Sequence, residues 1–169
     1  ISYNKKKGLK MSKTKKRLLF VCLGNICRSP AAEGVMKKMV HDAGLGDAFD
    51  IDSAGIGDWH VGQLPDARMR ACGQRHGYNF NSHARQLTTA DFTLFDHILV
   101  MDTDNYRIVT GKATNNTQRE KVQMLADYCT EHPKAHVIPD PYYGDSSDFE
   151  YAVELIEDAC RGLLAQMIE

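Results

Sequence analysis

Cys22 and Arg28 stand six positions apart in Cys22-Leu23-Gly24-Asn25-Ile26-Cys27-Arg28-Ser29, and Pro30 follows. Residues of these types at this spacing can fold around one oxyanion. A loop that joins a strand end to a helix start leaves several backbone N–H groups unpaired, and the helix dipole adds positive potential. Gly24 and Asn25 tolerate the left-handed backbone that such a nest needs. Arg28 offers a planar fork that matches two phosphate oxygens. In that field Cys22 is expected to lose its proton well below the free-thiol value of about 8.5 and become a nucleophile, with Ser29 donating its hydroxyl to the thiolate. The bland alternative is a core cysteine beside a surface arginine, which would need neither the strand before nor the proline-started helix after.

Thiolate attack on a phosphate monoester also requires a proton for the departing oxygen, and a positioned carboxylic acid is the usual source. Asp140 is the candidate, stiffened by Pro139 and Pro141 and followed by Tyr142-Tyr143-Gly144. Other phosphate-binding patterns fail. The nucleotide loop G-x-x-x-x-G-K-[ST] is absent, and in Gly55-Ile56-Gly57 the third glycine of a dinucleotide fingerprint is replaced by His60.

Elements of matching type flank these residues. The apolar run at 17–23 reads as a buried strand, and Ser29-Pro30 as an N-cap and first helical residue opening a helix that runs to Gly44. Strands are expected at 49–56 and 96–101, and helices at 65–77 and 103–110. Residues 122–125 fit either a strand or a helix. A final helix carries Phe149, Val153, Ile156, Cys160, Leu163, Leu164 and Met167 on one face, with a capping box at Ser147-x-x-Glu150. Alternating strands and helices predict an α/β fold with a parallel sheet and helices on both faces, whose ligands bind beyond the carboxyl ends of the strands.

The chain has 169 residues, 43% hydrophobic and 25% charged, which suits one soluble domain. The run at 18–23 is far too short for a membrane span and is cut off by polar residues, so the expected location is the cytoplasm. Eight of the 21 basic residues precede position 18, with no acid among them. The remainder sets 13 basic against 22 acidic residues, a balance of −9 that argues against nucleic-acid binding. Residues 1–15 are expected to be a disordered basic extension or vector residue, with Met11 as a natural start, and 16–169 a single domain. Five scattered cysteines favour neither a disulfide framework nor a metal site, since only Cys22 and Cys27 are neighbours.

With these residues in view, the sequence resembles the low-molecular-weight protein tyrosine phosphatase family. Val21-Cys22-Leu23-Gly24-Asn25-Ile26-Cys27-Arg28-Ser29-Pro30 agrees with that family's phosphate loop, and Asp140-Pro141-Tyr142-Tyr143 with its general-acid loop. The resemblance implies a three-layer α-β-α sandwich with a central four-stranded parallel sheet. It also implies a phosphocysteine intermediate on Cys22, phosphotyrosine proteins as substrates, and no metal or organic cofactor. Inorganic phosphate or other oxyanions would bind as product or inhibitor. The molecule is expected to be a monomer or weak dimer that needs no membrane. By the same resemblance Asn25 holds the loop shape, His83 braces Asn25, Asp102 is a further acidic residue near the site, and Trp59, His60 and Tyr143 join Tyr142 and Leu23 at the rim. Cys22 and Cys27 resemble a pair that can form a protective disulfide. Two other readings stand beside this one. A thioredoxin-coupled arsenate reductase shares the loop but needs a downstream cysteine pair, and a non-catalytic phosphate binder would not need both Cys22 and Asp140.

Overall fold

Four apolar residues in a row, Leu18, Leu19, Phe20 and Val21, are fully buried, so strand β1 (Lys16–Cys22) is covered on both faces, as a central parallel strand must be. The computed structural model describes residues 15–168. The extension read at 1–15 lies outside the described residues apart from Lys15, whose Nζ is 3.8 Å from Asp50 Oδ1.

Beside β1 run β2 (Phe49–Gly55) and β3 (His97–Val100), and β4 (Val122–Met124) lies beyond β3. The order is β2-β1-β3-β4 and every pairing is parallel. Side chains alternate between faces. Leu18, Phe20 and Leu99 meet helices α1 (Arg28–Asp42), α2 (Ala67–Arg75) and α6 (Ser146–Met167). Leu19, Val21, Ile98 and Val100 meet Phe92 of α3 (Asp91–Leu94) and Val109 of α4 (Thr103–Lys112). Helix α5 (Asn116–Glu120) leads into β4. This is a three-layer α/β sandwich around a four-stranded parallel sheet. Among the described residues no helix is long and apolar enough to cross a membrane.

From β1 the chain moves to β2 on one side, and from β3 to β4 on the other. The carboxyl ends of β1 and β3 therefore flank the topological switch point, where such sheets hold their ligands. Cys22 ends β1. Val21 pairs with Val100, so Asp102 emerges close by.

Two helix starts differ from the sequence reading. Helix α1 begins at Arg28 after Cys27, with no side-chain cap, so Ser29 lies inside the first turn and its hydroxyl is free for other partners. Helix α6 is capped by Asp145, whose carboxylate accepts from the N–H groups of Ser147 and Asp148 while Asp148 accepts from the Asp145 N–H. The capping box is thus Asp145/Asp148 and not Ser147/Glu150. The Ser147 hydroxyl donates to Asp145 at 2.6 Å, and an aspartate caps at least as well as a serine.

Candidate active site

The loop after β1 turns its oxygens outward and keeps its N–H groups. Ile56, Gly57, Asp66 and Ala31 donate their N–H groups to the carbonyls of Cys22, Leu23, Ile26 and Cys27. Among the described residues, no backbone N–H from positions 23–29 donates to a protein group. So many unpaired donors at one place call for an anion. The turn is made at Asn25, which has φ 58°; Gly24, expected to share the left-handed backbone, does not adopt it. Close approach is arranged from the neighbouring strand instead, because a Cβ on Gly55 would lie 3.0 Å from the Gly24 carbonyl carbon.

Beneath the loop a chain of hydrogen bonds runs from Glu33 to Cys22. Ser53 Oγ donates to Glu33 Oε1 at 2.5 Å, which leaves its lone pairs for Asn25 Nδ2 at 3.0 Å. Asn25 Oδ1 accepts from the Arg85 N–H at 3.0 Å, which orients the amide, and Nδ2 also donates to Ser29 Oγ at 2.7 Å. Ser29 therefore accepts from Asn25 and has its own hydrogen left for Cys22 Sγ, 3.0 Å away. The hydroxyl can thus donate to the sulfur at the end of the chain. The remaining thiols are poor rivals. Burial pushes Cys72 up to about 11 and Cys129 up to about 12, and lifts Cys27 and Cys160 above the ordinary thiol range.

Arg28 is almost wholly buried, and one of its nitrogens is committed: Nη1 donates to Asp102 Oδ2 at 2.7 Å and to the Ile138 carbonyl at 2.9 Å. Nε and Nη2 make no hydrogen bond among the described residues, so the edge that can grip two oxygens is free. Asp102 also caps α4 through Asn105 N–H, which ties the arginine's partner to a helix start. Asp140 Oδ2 lies 3.7 Å from Arg28 Nη2, and its other oxygen accepts from Tyr142 N–H.

Cys22, Leu23, Gly24, Ile26, Cys27, Arg28 and Asp140 line one cavity of about 310 Å³, walled by Trp59, His60, Tyr142 and Tyr143. Tyr142 and Tyr143 meet edge to face at 4.9 Å. Gly57 makes room for Trp59, whose ring occupies the space a Cβ there would need. All five cysteines are free thiols.

Asn25, Ser29 and Asp102 lie behind the cavity wall as supports. His83 does not join them: it is exposed, and no hydrogen bond links it to Asn25. The brace comes from Ser53, Glu33 and the backbone of Arg85, none of them marked by the sequence reading. Arg85 is itself held by Asp52 and Asp91. Arg68 was also missed. It donates to the Tyr142 carbonyl at 3.0 Å and stacks on the Tyr142 and Phe149 rings, so α2 carries the segment that follows Asp140. Its guanidinium holds the Asp66 carboxyl below the usual range.

Three comparisons agree with this geometry. The model of the family described as low molecular weight phosphotyrosine protein phosphatase matches residues 17–169. The low molecular weight phosphotyrosine protein phosphatase of Sus scrofa is 44% identical over 153 residues, covering 90% of this chain and 96% of that one. The crystal structure of a protein tyrosine phosphatase from Entamoeba histolytica, with Hepes in the active site, superposes with a TM-score of 0.88 at 42% identity, covering 91% of this chain and 97% of that chain.

Proposed function

The chain belongs to the low molecular weight phosphotyrosine protein phosphatase family, and on that premise we propose how its residues divide the work of hydrolysing phosphotyrosine in proteins. The enzyme is a phosphoric monoester hydrolase. The phosphoryl group sits on the free N–H groups of residues 23–29 and on the Nε/Nη2 edge of Arg28. Cys22 Sγ attacks phosphorus in line. The S–P bond forms as the bond to the tyrosyl oxygen breaks, and that oxygen takes a proton from Asp140. Water then attacks the phosphocysteine, Asp140 receives its proton, and the S–P bond breaks to return the thiolate and free phosphate. Ser29 stabilises the thiolate in both stages, Asn25 holds the loop, and Asp102 keeps Arg28 aimed.

The hydrogen-bond chain from Glu33 to Cys22 carries this reading, because it leaves the Ser29 hydroxyl hydrogen to face the sulfur beside a ring of unpaired donors. The cavity adds selectivity: Leu23, Trp59, His60, Tyr142 and Tyr143 wall a slot suited to an aryl ring, which the shorter phosphoserine would not reach across. Hepes, a sulfonate, in the active site of the Entamoeba histolytica phosphatase supports oxyanion binding at such a loop. Inorganic phosphate and similar anions are the expected product and inhibitors. Residues 16–169 act as one domain, monomeric or weakly dimeric, in the cytoplasm and without nucleic acid; the −9 balance beyond residue 17 supports the last point. A pure phosphate binder would have no use for Cys22 and Asp140 together, and an arsenate reductase would need a further cysteine pair.

Rapid-quench trapping tests the mechanism. Labelled phosphate from an aryl phosphate should remain on the protein in the steady state and be absent from Cys22→Ser. Phosphoenzyme that persists in Cys22→Ser overturns the assignment.

A further inference from the structure

Helices α2 and α6 bring together a second group of chemistry-bearing side chains, away from the cavity. Cys72 and His76 are one helical turn apart, in the last turn and at the C-cap of α2, and so share a face. Glu150 and Glu157 are two turns apart on α6 and face them. The Cys72 sulfur, an imidazole nitrogen of His76 and a carboxylate oxygen of Glu150 all lie within 4.8 Å of one another, the one such mixed group among the described residues. Cys72 is fully buried, and His76 and Glu150 are half-buried.

Ion pairing explains part of this arrangement. His76 Nε2 meets Glu150 Oε2 at 2.5 Å, and Arg75 meets Glu150 Oε1 at 3.0 Å. The buried thiol is set against the same Glu150 carboxylate. The far side of His76 is also secured. His76 Nδ1 lies 3.2 Å from Glu157 Oε1, and Glu157 Oε2 accepts from Tyr78 OH at 2.7 Å. A metal-ligating histidine characteristically gives its second ring nitrogen to a carboxylate, and a ligating carboxylate is itself hydrogen-bonded; both supports stand here.

We propose that Cys72 Sγ, His76 Nε2 and Glu150 Oε2 form a zinc site that fastens α2 to α6, with Glu157 and Arg75 as its outer supports. One sulfur, one nitrogen and one oxygen suit zinc, while calcium and magnesium require oxygen ligands throughout. On binding, each of the three atoms gives a lone pair to the metal. The thiol proton and the proton shared by His76 and Glu150 leave to solvent, and water fills the fourth position. Because Arg68 of α2 holds the Tyr142 carbonyl, the metal would steady the helix pair that carries the segment after Asp140.

The test uses the full chain with Cys22→Ser, so that the active-site thiol contributes nothing. Titration with Co²⁺ should give one equivalent of a thiolate-to-cobalt charge-transfer band, bleached by Zn²⁺. Adding Cys72→Ser should remove the band, and adding Glu157→Gln should keep it while weakening zinc by about 10- to 100-fold. If Cys72→Ser fails to fold, His76→Gln replaces it and must weaken zinc at least about tenfold. No band in the Cys22→Ser chain, a band that survives Cys72→Ser, or zinc affinity unchanged by His76→Gln overturns the proposal.

Discussion

At the floor of the cavity Cys22, Asn25 and Arg28 expose 3% of their surface and Ser29 none, while at the mouth Trp59 exposes 65% and Tyr143 93%. The floor is specified by bonds. Among the described residues every side-chain nitrogen or oxygen sealed from solvent has a partner, Arg28 keeps its open edge toward the cavity, and one hydrogen-bond chain joins Glu33 to Cys22. The mouth is specified by shape: rings stand over the cavity with few polar ties. A reaction that must place charge on phosphoryl oxygens needs the first kind of construction, since preorganised donors act without rearranging. Recognition of varied peptide flanks tolerates the second.

The largest effects should come from the floor. Cys22→Ser removes the acceptor at the end of the hydrogen-bond chain, and hydrolysis of p-nitrophenyl phosphate should fall by about 10⁴-fold or more with phosphate still bound. Asp140 tests the contrast more sharply, since its side chain is 41% exposed and stands at the mouth, yet it is assigned chemistry. Asp140→Ala should lower kcat by about 10²- to 10⁴-fold. The loss should be greater for phosphotyrosine than for p-nitrophenyl phosphate, whose leaving oxygen needs less help from a proton. Equal losses on both substrates would remove Asp140 from its role as acid.

How much could be read in advance follows the same division. Cys22 to Ser29 was legible because the loop, its arginine and its serine are contiguous, and the strand and helix around them announce themselves by apolar content. The brace was not. Glu33, Ser53 and Arg85 come from a helix, a strand and a loop, and Arg85 acts on Asn25 through a backbone N–H that no side-chain pattern can signal. The resemblance pointed to His83, two residues away and exposed. Ser29-Pro30 looked like a cap by residue type, but the helix starts at Arg28 and puts Ser29 inside it, where its oxygen accepts from Asn25 and its hydroxyl faces the Cys22 sulfur. The ambiguous segment at 122–125 is a three-residue strand followed by a short 3-10 turn, too little chain for either period to register. The i, i+4 pair Cys72 and His76 passed unmarked, since its partners lie about 80 residues on.

A middle-sized effect probes the brace itself. Ser53→Ala leaves Glu33 Oε1 buried without its hydroxyl donor and Asn25 without one acceptor. Stability should fall by about 1–3 kcal/mol in thermal unfolding. Ser29 would then be free to turn from the sulfur, so kcat should drop as well, by about tenfold. Lost stability with intact kcat would show that the chain supports the fold alone.

Trp59→Ala should give the smallest change and separates the mouth from the floor most clearly. The ring lies over Gly57 and is mostly exposed, so its removal opens no cavity in the core, and stability should shift by no more than about 0.5 kcal/mol. Contact with the substrate ring is made equally in the bound and transition states, and such uniform binding appears in KM rather than kcat. KM for aryl phosphates should therefore rise about tenfold, corresponding to about 1.4 kcal/mol, with kcat unchanged. An alkyl phosphate of similar charge should scarcely notice the change, because it presents no ring to the wall. If kcat falls instead, Trp59 helps to set the floor, and the division between a bonded cup and a shaped mouth fails at that residue.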